Sequence, residues 1–169
     1  MQIIVLGQHQ QDVGKQLEQL TGEILGYLDY SNITFNDRGR GGNEIDVTAE
    51  HTQQSIGQGF KRELICECKA YSDPVAMPDW LKFLGKIFTK ELGSNRVNGC
   101  FIALSGVNGN VRGHYRDLRT FRPDIEIVTS EEISVQFTKQ FALVTSDAAI
   151  MSIQTMTTPV LCFVEYVPQ

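Results

Sequence analysis

The chain has 169 residues, of which 41% are hydrophobic and 21% charged, with a formal net charge of −5. That length and balance describe one globular domain, or one domain with an extension, able to bury a core without covalent staples. No apolar run approaches the ~20 residues that cross a bilayer, and the N-terminus lacks the basic start and long apolar core of a secretion signal. A cytoplasmic location is therefore expected, with no membrane partner. The four cysteines include no Cys-x-x-Cys pair and the histidines His9, His51 and His114 are scattered, which argues for buried reduced thiols over a zinc site. Charge is unevenly spread. Residues 61–122 carry eleven Lys and Arg against six Asp and Glu, whereas the flanking stretches are each acidic. A basic middle is what a phosphate backbone would feel, although a mixed solvated surface produces the same count.

Residues 2–6 form an apolar run with strand character. From about 11 to 28, Leu17, Leu20, Ile24, Leu25 and Leu28 recur at the spacing of one helical face. Glu18 precedes Leu25 by seven residues, which puts it about 20° from that leucine's azimuth and close to the apolar stripe. Strands are expected at 33–35 and 44–50, separated by the glycine-rich turn Asp37-Arg38-Gly39-Arg40-Gly41-Gly42-Asn43. A stronger strand covers 63–69. Pro78 suits the first position of a helix running to about Leu92, after which 100–104 reads as a buried central strand. A third helix is expected over about 111–121, a short strand over 125–129, and a helix capped by Ser130. The 157–167 tail is strand-like. The order implies an α/β sandwich around a mixed sheet.

The segment Ile65-Cys66-Glu67-Cys68-Lys69 carries the most chemistry. Strand alternation puts Leu64, Cys66 and Cys68 on one face and Ile65, Glu67 and Lys69 on the other. A carboxylate beside an ammonium serves phosphodiester cleavage, the first holding a divalent cation and the second orienting or deprotonating water. Magnesium binds through one or two carboxylates, waters and phosphate oxygens, so a second acid should converge here. Asp46 qualifies if its strand pairs with 63–69, and Glu44 shares its parity. Taken singly, Glu-x-Lys is commonly a solvated pair, Asp46 a surface acid near a turn, and Glu18 the edge of a helix.

Together these residues resemble the PD-(D/E)xK nuclease signature, and within it the Mrr-type restriction endonuclease branch. The matching positions read Leu17-Glu18, Leu25-Gly26-Tyr27, Gly41-Gly42-Asn43-Glu44-Ile45-Asp46, Cys66-Glu67-Cys68-Lys69 and Ser105-Gly106. The resemblance covers roughly residues 10–135. It implies a restriction-endonuclease-like α/β/α sandwich with a central mixed sheet, and magnesium (or manganese) held by Asp46, Glu67 and the backbone carbonyl of Cys68. It implies Lys69 as the water-activating lysine and Glu18 as an acid reaching the metal or its water. Many relatives have Gly where this chain has Glu44.

The expected activity is metal-dependent DNA endonuclease, in a restriction or antiviral-defence effector. A Holliday-junction-type resolvase and a catalytically silent nucleic-acid-binding or assembly domain are the alternatives. Phosphate contacts are expected from Arg38 and Arg40 in the turn, from Lys82, Lys86 and Lys90 at i, i+4, i+8, and from Arg112, Arg116 and Arg119. Each stripe alone is equally an ordinary solvated helix face. The nuclease domain is assigned to 1–140, with 141–169 a strand-like extension packed on it or leading to a further sensor or ATPase domain. Homo-oligomers are expected.

Overall fold

The computed structural model describes residues 2–5, 10–38, 44–53, 59–93, 96–133, 135 and 162–165. Its elements in chain order are β1 (Gln2–Val5), α1 (Gln10–Tyr27), β2 (Ser31–Arg38), β3 (Glu44–Gln53), β4 (Phe60–Lys69), α2 (Met77–Glu91), β5 (Asn98–Ala103), α3 (Gly109–Leu118), β6 (Ile125–Val128) and β7 (Cys162–Glu165). Strands β2 to β6 form one five-stranded sheet in sequential order. The first three are antiparallel neighbours, while β4, β5 and β6 run parallel through helical crossovers. This is the mixed sheet expected from the sequence.

Both faces of the sheet are covered, as its parallel half requires. On one face α1 packs Leu17, Leu20 and Leu25 against Val47, Ala49, Leu64, Cys66, Cys68 and Ile102. On the other, α2 and α3 bring Trp80, Phe83, Leu84, Ile87 and Val111 against Ile65, Phe101, Ala103 and Ile125. Trp80 meets Phe101 edge-on, with ring centroids 5.4 Å apart, and donates its indole N–H to His114 Nδ1 at 3.0 Å. The aromatic residues of α2 thus fasten the helix to the sheet. Cys66, Cys68 and Cys100 are free thiols. A hydrogen bond with the neighbouring Cys100, together with burial, pushes the Cys66 thiol well up, and burial does the same to Cys68, so both are inert.

One expectation changes at the rim. Ser130 begins a short helical turn, but its hydroxyl donates to the Leu104 carbonyl at 2.6 Å instead of capping. The cap is Thr129, whose backbone N–H is received by the Glu132 carboxylate at 2.7 Å, the reciprocal half of a capping box. The strand-like tail contributes β7, which pairs antiparallel with β1 in a separate two-stranded sheet, from Gln2↔Glu165 to Val5↔Cys162. Most of the 141–169 extension lies outside the described residues. Among the described residues no helix is long and apolar enough to cross a membrane.

The far end of the parallel sheet is closed by charge. Arg122 bridges Glu91 and Asp124, each at 2.8 Å. Partial burial alone would raise the Asp124 carboxyl, but Arg122 and Arg96 hold it down to about 2. A depressed acid stabilises the fold above its unfolded value near 3.8 and loses that contribution as pH falls toward 2. We expect Asp124→Asn to lower unfolding free energy at pH 6 by about 1 to 2 kcal/mol, discounted for solvent screening, with the deficit shrinking by pH 2.5. Urea titrations at the two pH values check this, and a constant deficit would contradict it.

Candidate active site

The site is built where β3 and β4 part company. Their pairing runs from Gln53↔Phe60 to Val47↔Cys66 and ends there. Ile45 and Val47 share a strand parity yet lie in opposite core clusters, so β3 turns over between them, at Asp46. Beyond the last pair, the Cys68 N–H is received by Asp46 Oδ2 at 2.8 Å, the carboxylate standing where a ladder carbonyl would otherwise be. β4 continues along β5 instead, through Lys69↔Ala103 and the bond from Leu104 N–H to the Lys69 carbonyl, 3.1 Å. Gly106, at φ +74, makes the left-handed turn that ends this strand and lets Val75 N–H reach its carbonyl. Glu67 and Lys69 therefore sit at the carboxyl end of parallel strands, where α/β sheets place ligands.

Strand alternation correctly set Glu67 and Lys69 on one face, and α2 makes that face an interior. Glu67 is only 1% exposed. Lys69 binds its Oε1 at 2.9 Å, while the buried ammonium of Lys86 binds its Oε2. Lys69 also faces Asp79 in the first turn of α2 at 3.8 Å and lies 5.7 Å from the Tyr71 ring centre. Burial would lower the Lys69 ammonium, but the Glu67 carboxylate overrides it and raises the group, so Lys69 is charged at neutral pH.

The acids push against one another. Burial raises Asp46, and the Glu67 charge raises it further, against the Cys68 N–H and the two lysines. Burial likewise raises Glu18, followed by the charge of Asp46, with Glu44 adding a smaller push. Glu18 accepts a hydrogen bond from Asn36 Nδ2 at 3.3 Å. Asn36 holds a left-handed backbone, φ 53, inside β2 and falls between the pairs Phe35↔Val47 and Asp37↔Ile45, across from Asp46. The donor set therefore fits a divalent cation at Asp46 and Glu67: two carboxylates in mutual repulsion, beside a strand-end carbonyl at Cys68. Among the described residues no cage of three or more His, Cys, Asp or Glu is placed to hold a metal ion, so Glu18 does not join Asp46 and Glu67 as a third such ligand. A magnesium site with waters and phosphate oxygens completing its shell needs no such cage.

The basic residues divide. Lys86 does not belong to a solvent-facing stripe: it is 5% exposed and spent on Glu67, a correction to the i, i+4, i+8 reading of α2. Lys90 pairs with Glu63 at 2.8 Å and Asp37 at 3.7 Å. Lys82, Arg112, Arg116 and Arg119 are exposed, Arg116 beside Asp117 at 3.6 Å and Arg119 over Tyr115 at 5.6 Å. Arg112 lies in the first turn of α3, just beyond the carboxyl end of β5. Arg38 ends β2, with its side chain outside the described residues, as is all of Arg40. Asn36, Tyr71 and Asp79 are site neighbours that sequence reasoning missed. A turn-prone Asn inside a strand was the one signal for the first.

No family model matches the chain. Among solved structures, the DNA modification-dependent restriction endonuclease AspBHI superposes with a TM-score of 0.62 at 14% identity, over 83% of this chain and 34% of that one. MspJI restriction endonuclease, solved in complex with a 27-mer oligonucleotide, gives 0.56 at 8% identity, over 85% and 32%. The fold is that of restriction endonucleases, and the chain spans about a third of each of these neighbours. A curated sequence, L-arabinitol 4-dehydrogenase from Aspergillus oryzae, is 27% identical over 120 residues, 70% of this chain and 31% of that one. The Gly-x-Gly-x-x-Gly dinucleotide fingerprint occurs nowhere in the present sequence.

Proposed function

We propose that this chain is the catalytic domain of a magnesium-dependent DNA endonuclease of the PD-(D/E)xK type, close to the Mrr branch, serving in restriction or antiviral defence. The observation that carries the proposal is the meeting of Asp46, Glu67 and Lys69 at the carboxyl end of β4, with Asp46 fixed by the Cys68 N–H. Neighbours that cut DNA, one of them solved with an oligonucleotide, support the choice of substrate.

Asp46, Glu67 and the Cys68 carbonyl would hold the cation, with magnesium or manganese acceptable. When bound, the ion supplies Lewis-acid polarisation of the phosphate and a water of lowered pKa. The protein does the rest. The Cys68 N–H aims Asp46, and Asn36 restrains Glu18 beside it. Lys69, held by Glu67 and Asp79, is a charged donor that orients the attacking water and offsets charge on the phosphate. Its raised pKa makes it a poor base while Glu67 is free to pair with it. Lys82, Arg112 and Arg116 contact the backbone of the duplex, giving affinity without sequence information.

The test is cleavage of supercoiled, linear and single-stranded DNA and of RNA in magnesium, in manganese and in chelator. Metal-dependent nicking of duplex DNA is expected. Preference for four-way junctions would move the assignment to a resolvase, and binding without cleavage under every condition would make this a silent assembly domain.

A further inference from the structure

Lys86 is left over from the proposed chemistry. It lies on α2 among Trp80, Phe83, Leu84 and Ile87, all buried, and is itself 5% exposed. Lysine almost never occupies such a position unless its charge is matched. The match here is Glu67 Oε2. Since Lys69 takes Oε1 at 2.9 Å, both oxygens of the carboxylate assigned to the metal are held by ammonium groups.

A magnesium ion bonds a carboxylate oxygen at about 2.0–2.1 Å and demands a defined direction of approach. An ammonium hydrogen-bonded to the same oxygen would stand within a few ångströms of the ion, like charge against like in a poorly screened interior. Lys69 lies at the open rim, 13% exposed with Asp79 as a second anion. Lys86 is the deeper of the two, with 4% of its side chain exposed. Its ammonium matches a metal in charge sign and occupies one of the two carboxylate oxygens open to one.

We propose that Lys86 is a place-holding cation: it neutralises Glu67 in the metal-free protein and is displaced from Oε2 when a divalent ion binds, so that it sets the metal affinity of the site. This rests on the nuclease reading only in taking Glu67 for a metal ligand. Lys86 is a positioning residue and touches no substrate.

The experiment is titration of the intact, nucleic-acid-free chain with manganese by electron paramagnetic resonance. Lys86→Met, which keeps the unbranched apolar stem and loses the terminal ammonium, is expected to bind manganese roughly tenfold tighter than wild type. Lys82→Met removes the same charge from an exposed position on the same helix and should stay within about twofold. Equal tightening in both variants, or unchanged or weaker binding in Lys86→Met, overturns the proposal. Manganese binding to neither wild type nor Lys86→Met overturns the metal reading itself, a distinguishable result. A readout on the wild-type protein guards against a variant that folds poorly. The side-chain 15N–ammonium resonance of Lys86, slowed in exchange by burial, should shift as magnesium saturates the site. A resonance unmoved at saturation overturns displacement.

Discussion

Lys69→Met is expected to slow magnesium-dependent nicking of supercoiled DNA by about 10^3-fold, within the range for loss of a positioned proton-transfer or charge-stabilising group. The fold should survive it. Glu67 keeps its partner Lys86 on Oε2, and Lys69 itself lies at the rim with 13% of its side chain exposed. Asp46→Asn should match that loss by a different route. The carboxamide oxygen still accepts from the Cys68 N–H, now 2.8 Å from Oδ2, so local geometry is kept while the charge that holds a cation is gone. Single-turnover rates, with DNA affinity measured separately in calcium, separate the two effects. Binding should change by less than about threefold, since phosphate affinity comes from other lysines and arginines. Cleavage within tenfold of wild type for either variant would remove that residue from the catalytic assignment.

The parts of this site that were legible in sequence are those that follow from strand periodicity. Alternation along 64–69 put Glu67 and Lys69 on one face whatever the tertiary context, and a strand starting at the glycine turn could bring Asp46, near its start, beside Glu67 if the two strands paired antiparallel. Alternation does not say what covers a face. The second face of β4 lies under α2, so Glu67 is a buried group paired by a helix and not a half-solvated one. That helix was misread through spacing alone. Lys82, Lys86 and Lys90 do form a stripe, but on an ideal helix Lys86 lies about 60° and Lys90 about 20° from Phe83, an azimuth that already faces the core. Measuring the lysines against Phe83, instead of against one another, places Lys86 and Lys90 inward and leaves Lys82 facing out.

Asn36 was hidden for another reason. Its position depends on a left-handed residue within a bulged strand, and such backbone irregularity has no periodic trace in sequence. Periodicity held along 64–69 and failed at Asn36, where the backbone leaves regular strand geometry.

Glu67→Gln tests whether charge inside the fold behaves as this geometry requires. The amide preserves shape but leaves Lys86, with 4% of its side chain exposed, facing no full anion on its own oxygen. Removing one partner of a buried pair costs about 3 to 5 kcal/mol, mostly the desolvation of the charge left behind. Chemical denaturation should therefore show a loss of that size, with an unchanged dependence on denaturant because the surface exposed on unfolding is the same. The second substitution decides the cause. Adding Lys86→Met to Glu67→Gln removes the stranded ammonium from among Phe83, Leu84 and Ile87 and should restore at least half of the lost stability. If the double variant is no more stable than Glu67→Gln, the loss came from packing around the carboxylate. If Glu67→Gln costs under about 1 kcal/mol, the pair is not the buried ion pair that its geometry describes. Nicking should be absent from both variants, because recovering the fold does not return the carboxylate. That separation of stability from activity is what a group assigned to the metal must show.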